Sequence, residues 1–275
     1  MRITDFYKYE KKTSPKISMI TTYDYCGALI AEKTDVDCVL VGDSLAMTVY
    51  GFNSTIYADE KMMRCHTAAV KRGIKSKLII SDMPFLSFRK GEAKAVETAG
   101  KLVKAGADAV KLEGVLGHEK AIEKITGSGI PVMGHLGLTP QYIKKIGKYS
   151  IQGKDEKKAG EISKQAKTLE NLGCFSLVLE CVPPLLAAEI TASLEIPVIG
   201  IGSGPHTDGQ VLVFHDIIGL YPNSPSFAKK YANAFSVMEK AINDFNEEVK
   251  KGIFPKEKYE NNKEARAMGH RKKKI

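Results

Sequence analysis

Short apolar runs rich in strand-forming residues recur along the chain, and helical patterns separate them. The run CVLV at 38–41 shows the pattern best, since it ends abruptly in Gly42, Asp43 and Ser44. An apolar run without polar alternation is typical of a strand that is buried on both faces in a parallel sheet. Parallel strands need crossover connections, which the helical segments supply. The alternation therefore indicates an α/β fold.

Eight runs of this kind can be counted. The predicted strands cover 16–22, 38–41, 78–80, 109–112, 131–133, 175–179, 196–199 and 211–214. Eight strands alternating with helices in a chain of 275 residues predict a (β/α)8 TIM-type barrel. A doubly wound open sheet fits less well, because no G-x-G-x-x-G turn follows the first strand. We expect the barrel over 1–254, with a short N-terminal helix over 2–12, a last helix over 226–250 and a basic, flexible tail over 255–275.

The formal net charge of +9 raises the question of a nucleic-acid partner. Residues 256–275 hold eight Lys or Arg against three Glu, which accounts for +5, and the remaining charge is spread along predicted helical faces. A basic tail can contact RNA or a membrane surface. Such an end is more often solvated, so we expect neither a specific nucleic acid nor a membrane partner.

Other features of the composition indicate a cytoplasmic protein. The N-terminus is charged and lacks the apolar core of a signal peptide, and no apolar run reaches the ~20 residues that span a bilayer. The five cysteines contain no C-x-x-C pair. Reduced, structural thiols therefore fit better than disulfides or a zinc site.

Acidic residues follow four different predicted strands. They are Asp43, Asp82, Glu113 and Glu180. In a barrel the carboxyl ends of the strands meet at one mouth, where barrel enzymes build their active sites. Carboxylates crowded in such a cleft repel one another unless some are protonated or a cation binds, and an all-oxygen set favours Mg²⁺ over zinc. Each acid also has a structural alternative, namely a helix cap at Asp43, a turn residue at Asp82, a loop acid at Glu113 and a lysine partner at Glu180.

Two further residues are candidates for the same mouth. Lys111 lies two residues before Glu113, so both side chains point to one face of the strand, which is the inner face in a barrel. A lysine is costly there unless it pairs with acids or binds an anionic substrate. His135 follows the fifth predicted strand and is either a structural or a catalytic histidine.

A metal ion, a lysine and a spare carboxylate suit the chemistry of 2-oxo acids. Such an acid chelates a metal through its carboxylate and keto oxygens, which acidifies the adjacent C–H and stabilises an enolate. A carboxylate outside the metal shell can accept the proton. Glu180 is the candidate base, because its strand is well separated from Asp43 and Asp82.

Eight sequence blocks resemble the ketopantoate hydroxymethyltransferase (3-methyl-2-oxobutanoate hydroxymethyltransferase) family in content and order. They are VGDSLAMTVYG, HTAAVKRG, SDMPF, VKLEG, GHLGLTPQ, LVLECVP, IPVIGIGSG and TDGQVLVFHD, and the resemblance extends over 17–251. It implies a (β/α)8 barrel, usually a homodecamer of two pentameric rings. It also implies transfer of a hydroxymethyl group from 5,10-methylenetetrahydrofolate to 3-methyl-2-oxobutanoate. The product is 2-dehydropantoate, in the first step towards pantothenate and coenzyme A.

The resemblance also implies roles for six residues and one cofactor. Asp43 and Asp82 would be metal ligands with Glu113 in the metal shell; Ser44 and Lys111, together with the two aspartates, would bind the oxo acid; Glu180 would be the proton acceptor. The implied cofactor is one Mg²⁺ per subunit, with the folate as co-substrate. The folate contacts are not tied to a motif and are assigned to no residue.

Two alternative functions remain open. A metal-dependent C–C lyase or mutase of the phosphoenolpyruvate-mutase type would share the barrel and the acidic mouth. A requirement for methylenetetrahydrofolate in turnover would distinguish the two enzymes. In the second alternative, the basic tail would bind RNA or a membrane surface and the barrel would be inactive, but four acids at strand ends argue against it.

Overall fold

Eight parallel strands close into a barrel in the computed structural model, which describes residues 1–221 and 224–255. The strands are β1 (Ile17–Thr21), β2 (Cys38–Val41), β3 (Leu78–Asp82), β4 (Ala109–Glu113), β5 (Val132–Gly137), β6 (Ser176–Glu180), β7 (Val198–Ile201) and β8 (Gly209–Val213). Each strand pairs with the next in sequence, and β8 pairs with β1. The predicted (β/α)8 barrel is confirmed. The predicted tail over 255–275 lies outside the described residues except for Pro255.

Helices connect the strands and cover the barrel. They are α1 (Ile3–Tyr7), α2 (Tyr25–Glu32), α3 (Leu45–Thr48), α4 (Glu60–Gly73), α5 (Glu92–Ala105), α6 (Glu119–Gly127), α7 (Ile143–Ile146), α8 (Glu156–Asn171), α9 (Pro184–Ser193), α10 (Phe214–Ile217) and α11 (Ala234–Lys250). Asp24, Asp59 and Asp155 begin α2, α4 and α8, because each carboxylate accepts a hydrogen bond from a backbone N–H of the first turn. No helix among the described residues is long and apolar enough to cross a membrane, and the cytoplasmic location stays a prediction.

Several predicted boundaries are wrong. β5 runs to Gly137 rather than ending at 133, because hydrogen bonding to β4 and β6 carries it through two glycines and a histidine of low strand propensity. β7 covers Val198–Ile201 rather than 196–199. The last helix begins at Ala234 rather than 226. Asn233 caps this observed start, because its side chain accepts a hydrogen bond from Ser236 N. The N-terminal helix is confined to Ile3–Tyr7.

Strand residues divide into two apolar layers with a period of two. Val39 and Val41 belong to the cluster between strands and helices, whereas Cys38 and Leu40 belong to a second cluster inside the barrel. Phe6 of α1 closes the amino end of that interior, where its ring meets Phe175 edge to face at 5.1 Å. The barrel interior is therefore a packed apolar core at its amino end.

Candidate active site

Ionisable side chains occupy inward positions at or near the carboxyl ends of four neighbouring strands. They are Asp82 on β3, Lys111 and Glu113 on β4, His135 on β5 and Glu180 on β6, while Asp43 and Ser44 follow β2. On β3, for example, Leu78 and Ile80 are followed on the same face by Asp82. The strand register places Asp82 beside Lys111 and Glu113 beside His135. The predicted convergence at one mouth is thus observed.

Asp82 joins the Asp43 loop to the lysine. One of its oxygens, Oδ2, accepts from the backbone N–H of Asp43 at 3.0 Å. The other, Oδ1, forms an ion pair with Lys111 Nζ at 2.5 Å. Gly42 leaves room for Ser44 in this loop, because a Cβ at position 42 would lie 2.8 Å from Ser44 Oγ. The three charged side chains are 3 to 5% exposed, so they interact in a medium of low polarity.

Gln141 links two of the acids, and the sequence analysis gave it no role. Its side-chain Nε2 donates to Asp43 Oδ2 at 2.8 Å and to the Met83 carbonyl at 3.0 Å. Its backbone N–H donates to Glu113 Oε2 at 2.9 Å. Because it is far from these residues in sequence and lies in a short 3₁₀ turn (Pro140–Tyr142), only its place in the GHLGLTPQ block singled it out.

Tyr23 is a second residue that the sequence analysis missed. It is 1% exposed, its hydroxyl accepts from Thr21 Oγ1 at 2.9 Å, and it lies 2.7 Å from Ser44 Oγ. Burial raises the pKa of Tyr23 to about 12, so the phenol keeps its proton. Either hydroxyl can donate in the bond between Tyr23 and Ser44, so the contact holds Ser44 Oγ in place whichever way the proton lies.

Burial raises the pKa values of two acids at the mouth, Asp43 and Glu113, and so favours fewer negative charges there. Desolvation, helped by the charge of Asp82, raises the pKa of Asp43 to about 7. Desolvation and Asp43 raise the pKa of Glu113 well above its usual range. Burial disfavours the ammonium of Lys111, but the charges of Asp82, Asp43 and Glu113 outweigh it and raise the lysine pKa. One ammonium only partly offsets the acids, so the site favours binding of a further cation.

Glu180 lies on the far side of the mouth beside His135. Its side chain is 16% exposed, against 3% for the histidine, so it is the acid most open to a bound molecule. Desolvation raises the pKa of Glu180 to about 8, although Lys111 opposes the shift. His135 Nε2 lies 3.2 Å from Glu180 Oε2, without the alignment of a regular hydrogen bond. Burial, and then Lys111, lower the pKa of His135 well below its usual value, so the ring is neutral.

The backbone around Glu180 is fixed from both sides. Its carbonyl accepts from Leu138 N at 2.7 Å, and the following residue, Cys181, donates to the Ile201 carbonyl at 2.9 Å. Cys181 has a φ of +48°, an uncommon conformation for a residue with a side chain. Such strain persists only where the surroundings hold it. Here it helps to place the carboxylate at the mouth.

The carboxylates at the mouth are also candidate metal ligands. Among residues 1–221 and 224–255, no group of three His, Cys, Asp or Glu side chains is arranged to hold a metal ion unaided. Mg²⁺ commonly binds through one or two carboxylates and completes its octahedron with water or substrate oxygens. The adjacent Asp43 and Asp82 fit that mode, with Glu113 tied to Gln141 further out. The ligand roles stay a prediction.

A closed parallel barrel with ionisable side chains at its carboxyl mouth belongs to the class of (β/α)8 barrel enzymes. The fold is similar to a crystal structure of phosphonopyruvate hydrolase in complex with oxalate and Mg²⁺, with a TM-score of 0.61, 12% identity and 100% of both chains covered. It is also similar to 2,3-dimethylmalate lyase, a member of the PEP mutase/isocitrate lyase superfamily, with a TM-score of 0.59, 14% identity and 96% of this chain and 92% of that chain covered. At such identities the likeness concerns the fold alone.

The sequence is much closer to one family within that class. The family model of ketopantoate hydroxymethyltransferase matches residues 1–257. The 3-methyl-2-oxobutanoate hydroxymethyltransferase of Bdellovibrio bacteriovorus is 49% identical over 257 residues, which cover 93% of this chain and 97% of that protein. The enzyme of the same name from Pyrococcus furiosus is 50% identical over 251 residues, which cover 91% and 89%. The chain belongs to the ketopantoate hydroxymethyltransferase family, which confirms the predicted hydroxymethyltransferase over the mutase-type alternative.

Proposed function

We propose that the protein transfers a hydroxymethyl group from 5,10-methylenetetrahydrofolate to 3-methyl-2-oxobutanoate, giving 2-dehydropantoate. The observation that carries this proposal is the opposition of two groups across one mouth. Asp43, Asp82 and Lys111 form one connected group, and Glu180 faces the same space from β6. Family membership supports the reaction.

The first group would bind the oxo acid. Lys111 and Ser44 supply an ammonium and a hydroxyl for its oxygens. Asp43 and Asp82 would hold one Mg²⁺, with Glu113 in its outer surroundings. When bound, the ion would polarise the keto group and make the neighbouring C3–H more acidic.

Glu180 would then act as the base. It accepts the C3 proton, and the resulting carbanion forms a C–C bond with the one-carbon unit of the folate. Both C–N bonds of the one-carbon unit break, and water supplies the hydroxyl oxygen. Tetrahydrofolate leaves with its two nitrogens protonated by the C3 proton and by the second proton of that water. A base works best with a pKa near the operating pH, and a value of about 8 suits Glu180 to this step.

The protein would act as a homo-oligomer, a homodecamer by resemblance to its family. The support in this chain is α11, which buries none of its residues. It exposes Phe235, Val237, Met238, Ile242 and Phe245, each at least 47% accessible. Contiguous exposed apolar surface of this kind marks an interaction site. Light scattering after size exclusion should give a mass several times 30.1 kDa; a monomer at micromolar concentration would remove this part of the proposal.

The proposal is tested by turnover of 3-methyl-2-oxobutanoate with and without methylenetetrahydrofolate, each with and without EDTA. We expect 2-dehydropantoate only with the folate present, and loss of product after chelation that added Mg²⁺ restores. Folate-independent cleavage or rearrangement of a 2-oxo acid would instead support the mutase-type alternative. Activity unaffected by EDTA would rule out the metal.

A further inference from the structure

A cavity of about 910 Å³ lies beside the barrel mouth and outside the acid cluster. Gly114 and Gly137 form part of its inner wall. Gly114 directly follows Glu113, and Gly137 pairs with Glu180 in the strand ladder. The cavity is also lined by residues of α8, namely Lys158, Glu161, Ile162 and Gln165. The cavity therefore adjoins the backbone that carries two of the site's acids.

One short segment separates the cavity from the mouth. Gln141 reaches Asp43 on the mouth side, while the next residue, Tyr142, lines the cavity. A ligand that extends past this segment would have one end at the reacting groups and the other in the cavity. The oxo acid, with eight carbon and oxygen atoms besides its hydrogens, is too small to do so.

The lining suits an aromatic and anionic ligand. Apolar wall is supplied by Val115, Leu116, Ile146, Ile151 and Ile162. The cations Arg89, Lys145, Lys154 and Lys158 outnumber the acids Asp155 and Glu161. Asp155 is also engaged as the cap of α8, where it accepts from Lys158 N at 2.9 Å. The volume lies within the range of sites for organic ligands, roughly 300 to 1,000 Å³.

Arg89 is the most constrained of these cations. Its guanidinium lies 5.1 Å from the centre of the Phe88 ring and 4.7 Å from that of Tyr142. One of its nitrogens donates to the Glu113 carbonyl at 3.2 Å. These contacts orient the planar donor set before a ligand arrives, and a guanidinium so held matches a carboxylate through paired hydrogen bonds.

We propose that this cavity binds the p-aminobenzoyl-glutamate half of the folate donor. The ring would lie against the apolar wall, and the glutamate carboxylates would pair with Arg89 and with the lysines at the rim. The pterin and its one-carbon unit would then extend past Tyr142 towards Glu180. This inference rests on the proposed function and names the residues that would bind the folate donor.

The test measures the dissociation constant of tetrahydrofolate by anaerobic calorimetry. Arg89→Ala should weaken binding on the order of ten-fold or more, since a hydrogen-bonded charge pair is lost. Folate-independent C3–deuterium exchange of the oxo acid reports on the acid cluster in the same variant, and it should stay within about two-fold of the parent. Free p-aminobenzoyl-glutamate should compete with tetrahydrofolate in the parent.

Neighbouring lysines supply matched controls. Lys158 lines the cavity, whereas Lys157, the preceding residue of α8, does not line it and is exposed. Lys145 and Lys144 form a second pair of the same kind on α7. We expect Lys158→Ala and Lys145→Ala to weaken tetrahydrofolate binding several-fold, and Lys157→Ala and Lys144→Ala to leave it unchanged. These exposed positions also provide the test if Arg89→Ala fails to fold.

The outcomes separate this inference from the proposed function. Product formation by the parent, with tetrahydrofolate affinity unchanged in Arg89→Ala, Lys145→Ala and Lys158→Ala, would overturn the cavity assignment alone. Equal losses in the lining and control lysines would also overturn it, because only overall charge would then matter. Absence of folate-dependent product in the parent would overturn the proposed function itself.

Discussion

The two ends of the barrel interior are built from the same strands and differ sharply in content. At the amino end, Phe6 and Phe175 meet inside an apolar cluster. At the carboxyl end, the next inward positions hold Asp82, Lys111 and Glu180. The alternation of side chains continues unbroken from one end to the other. Only the chemistry of the last one or two inward residues changes.

This difference separates stability from reactivity. Burial of apolar side chains at the amino end stabilises the fold. At the carboxyl end, burial of charges is unfavourable unless they compensate one another, and their pKa values shift as a result. Substitutions at the amino end should therefore lower stability and spare activity, whereas substitutions at the carboxyl end should lower activity, with a loss of stability where a buried charge loses its partner.

The largest effect is expected for Glu180→Gln at the carboxyl end. The amide keeps the shape of the carboxylate but accepts no proton, so C3–deuterium exchange of the oxo acid should fall by about 10² to 10⁴-fold. Binding of the oxo acid and Mg²⁺ should persist in calorimetry. Glu123→Gln, at an exposed helical position, is the control and should exchange at the parent rate. Exchange at that rate in Glu180→Gln would remove it as the base.

Lys111→Met should give the next largest effect and impair stability as well as activity. The change leaves Asp82, Asp43 and Glu113 buried without their cation, which costs roughly 3 to 5 kcal/mol in the free energy of unfolding. In the parent, burial already raises the pKa values of Asp43 and Glu113. Without the lysine these two acids hold protons at pH values at which the carboxyl groups of the unfolded chain are ionised. The loss should therefore be larger at pH 8 than at pH 5.

Urea unfolding at the two pH values, with 3-methyl-2-oxobutanoate turnover alongside, measures these effects. Lys104→Met, at an exposed position of α5, provides the comparison and should change stability little. An equal loss of unfolding free energy in both variants would show that the buried ion pair contributes no more to stability than an exposed lysine does.

Phe6→Ala at the amino end should destabilise the fold and spare the chemistry. Removing a buried phenyl ring costs about 3 to 5 kcal/mol, and the free energy of unfolding should fall accordingly. The kcat at 25 °C should stay close to the parent value wherever the variant is folded. Tyr7→Ala changes the neighbouring residue, which is 64% exposed, and should have little effect. A large fall in kcat for folded Phe6→Ala would show that the two ends are coupled.

The smallest effect is expected for Tyr23→Phe, which removes the hydrogen bond to Ser44. A neutral hydrogen bond contributes about 0.5 to 1.5 kcal/mol, so the KM for the oxo acid should rise about two- to ten-fold. Tyr25→Phe, at a position 48% exposed, should leave the KM unchanged. A fall in kcat with an unchanged KM would contradict a role in substrate binding.

The sequence predicted the elements and acids well because both signals are local. An apolar run followed by Asp43 or Asp82 is visible in a few residues, and strands that run parallel bring their ends together. The end of β5 was less predictable, since glycine and histidine obscure the strand pattern there. The interpretation of His135 stayed open because a hydrogen-bonded structural histidine fits that position as well as a catalytic one.

Long-range partners were not predictable from local pattern. Gln141 contacts Asp43 across 98 residues of sequence, and Tyr23 meets Ser44 across 21. Arg89 likewise gains its aromatic neighbour Tyr142 only through folding. In the sequence alone, a glutamine, tyrosine or arginine between the strands and long helices looks the same whether its side chain is buried against a partner or solvated.

The sequence by itself therefore determined the barrel, the family and the identity of the acids, because strand periodicity and ordered motif blocks are properties of the chain. The tertiary structure alone decided how those acids are compensated. Lys111 pairs with Asp82, Gln141 joins Asp43 to Glu113, and Glu180 stands apart beside a neutral His135. Closure of the barrel imposes these distances, and in a buried site distance and desolvation set both charge and reactivity.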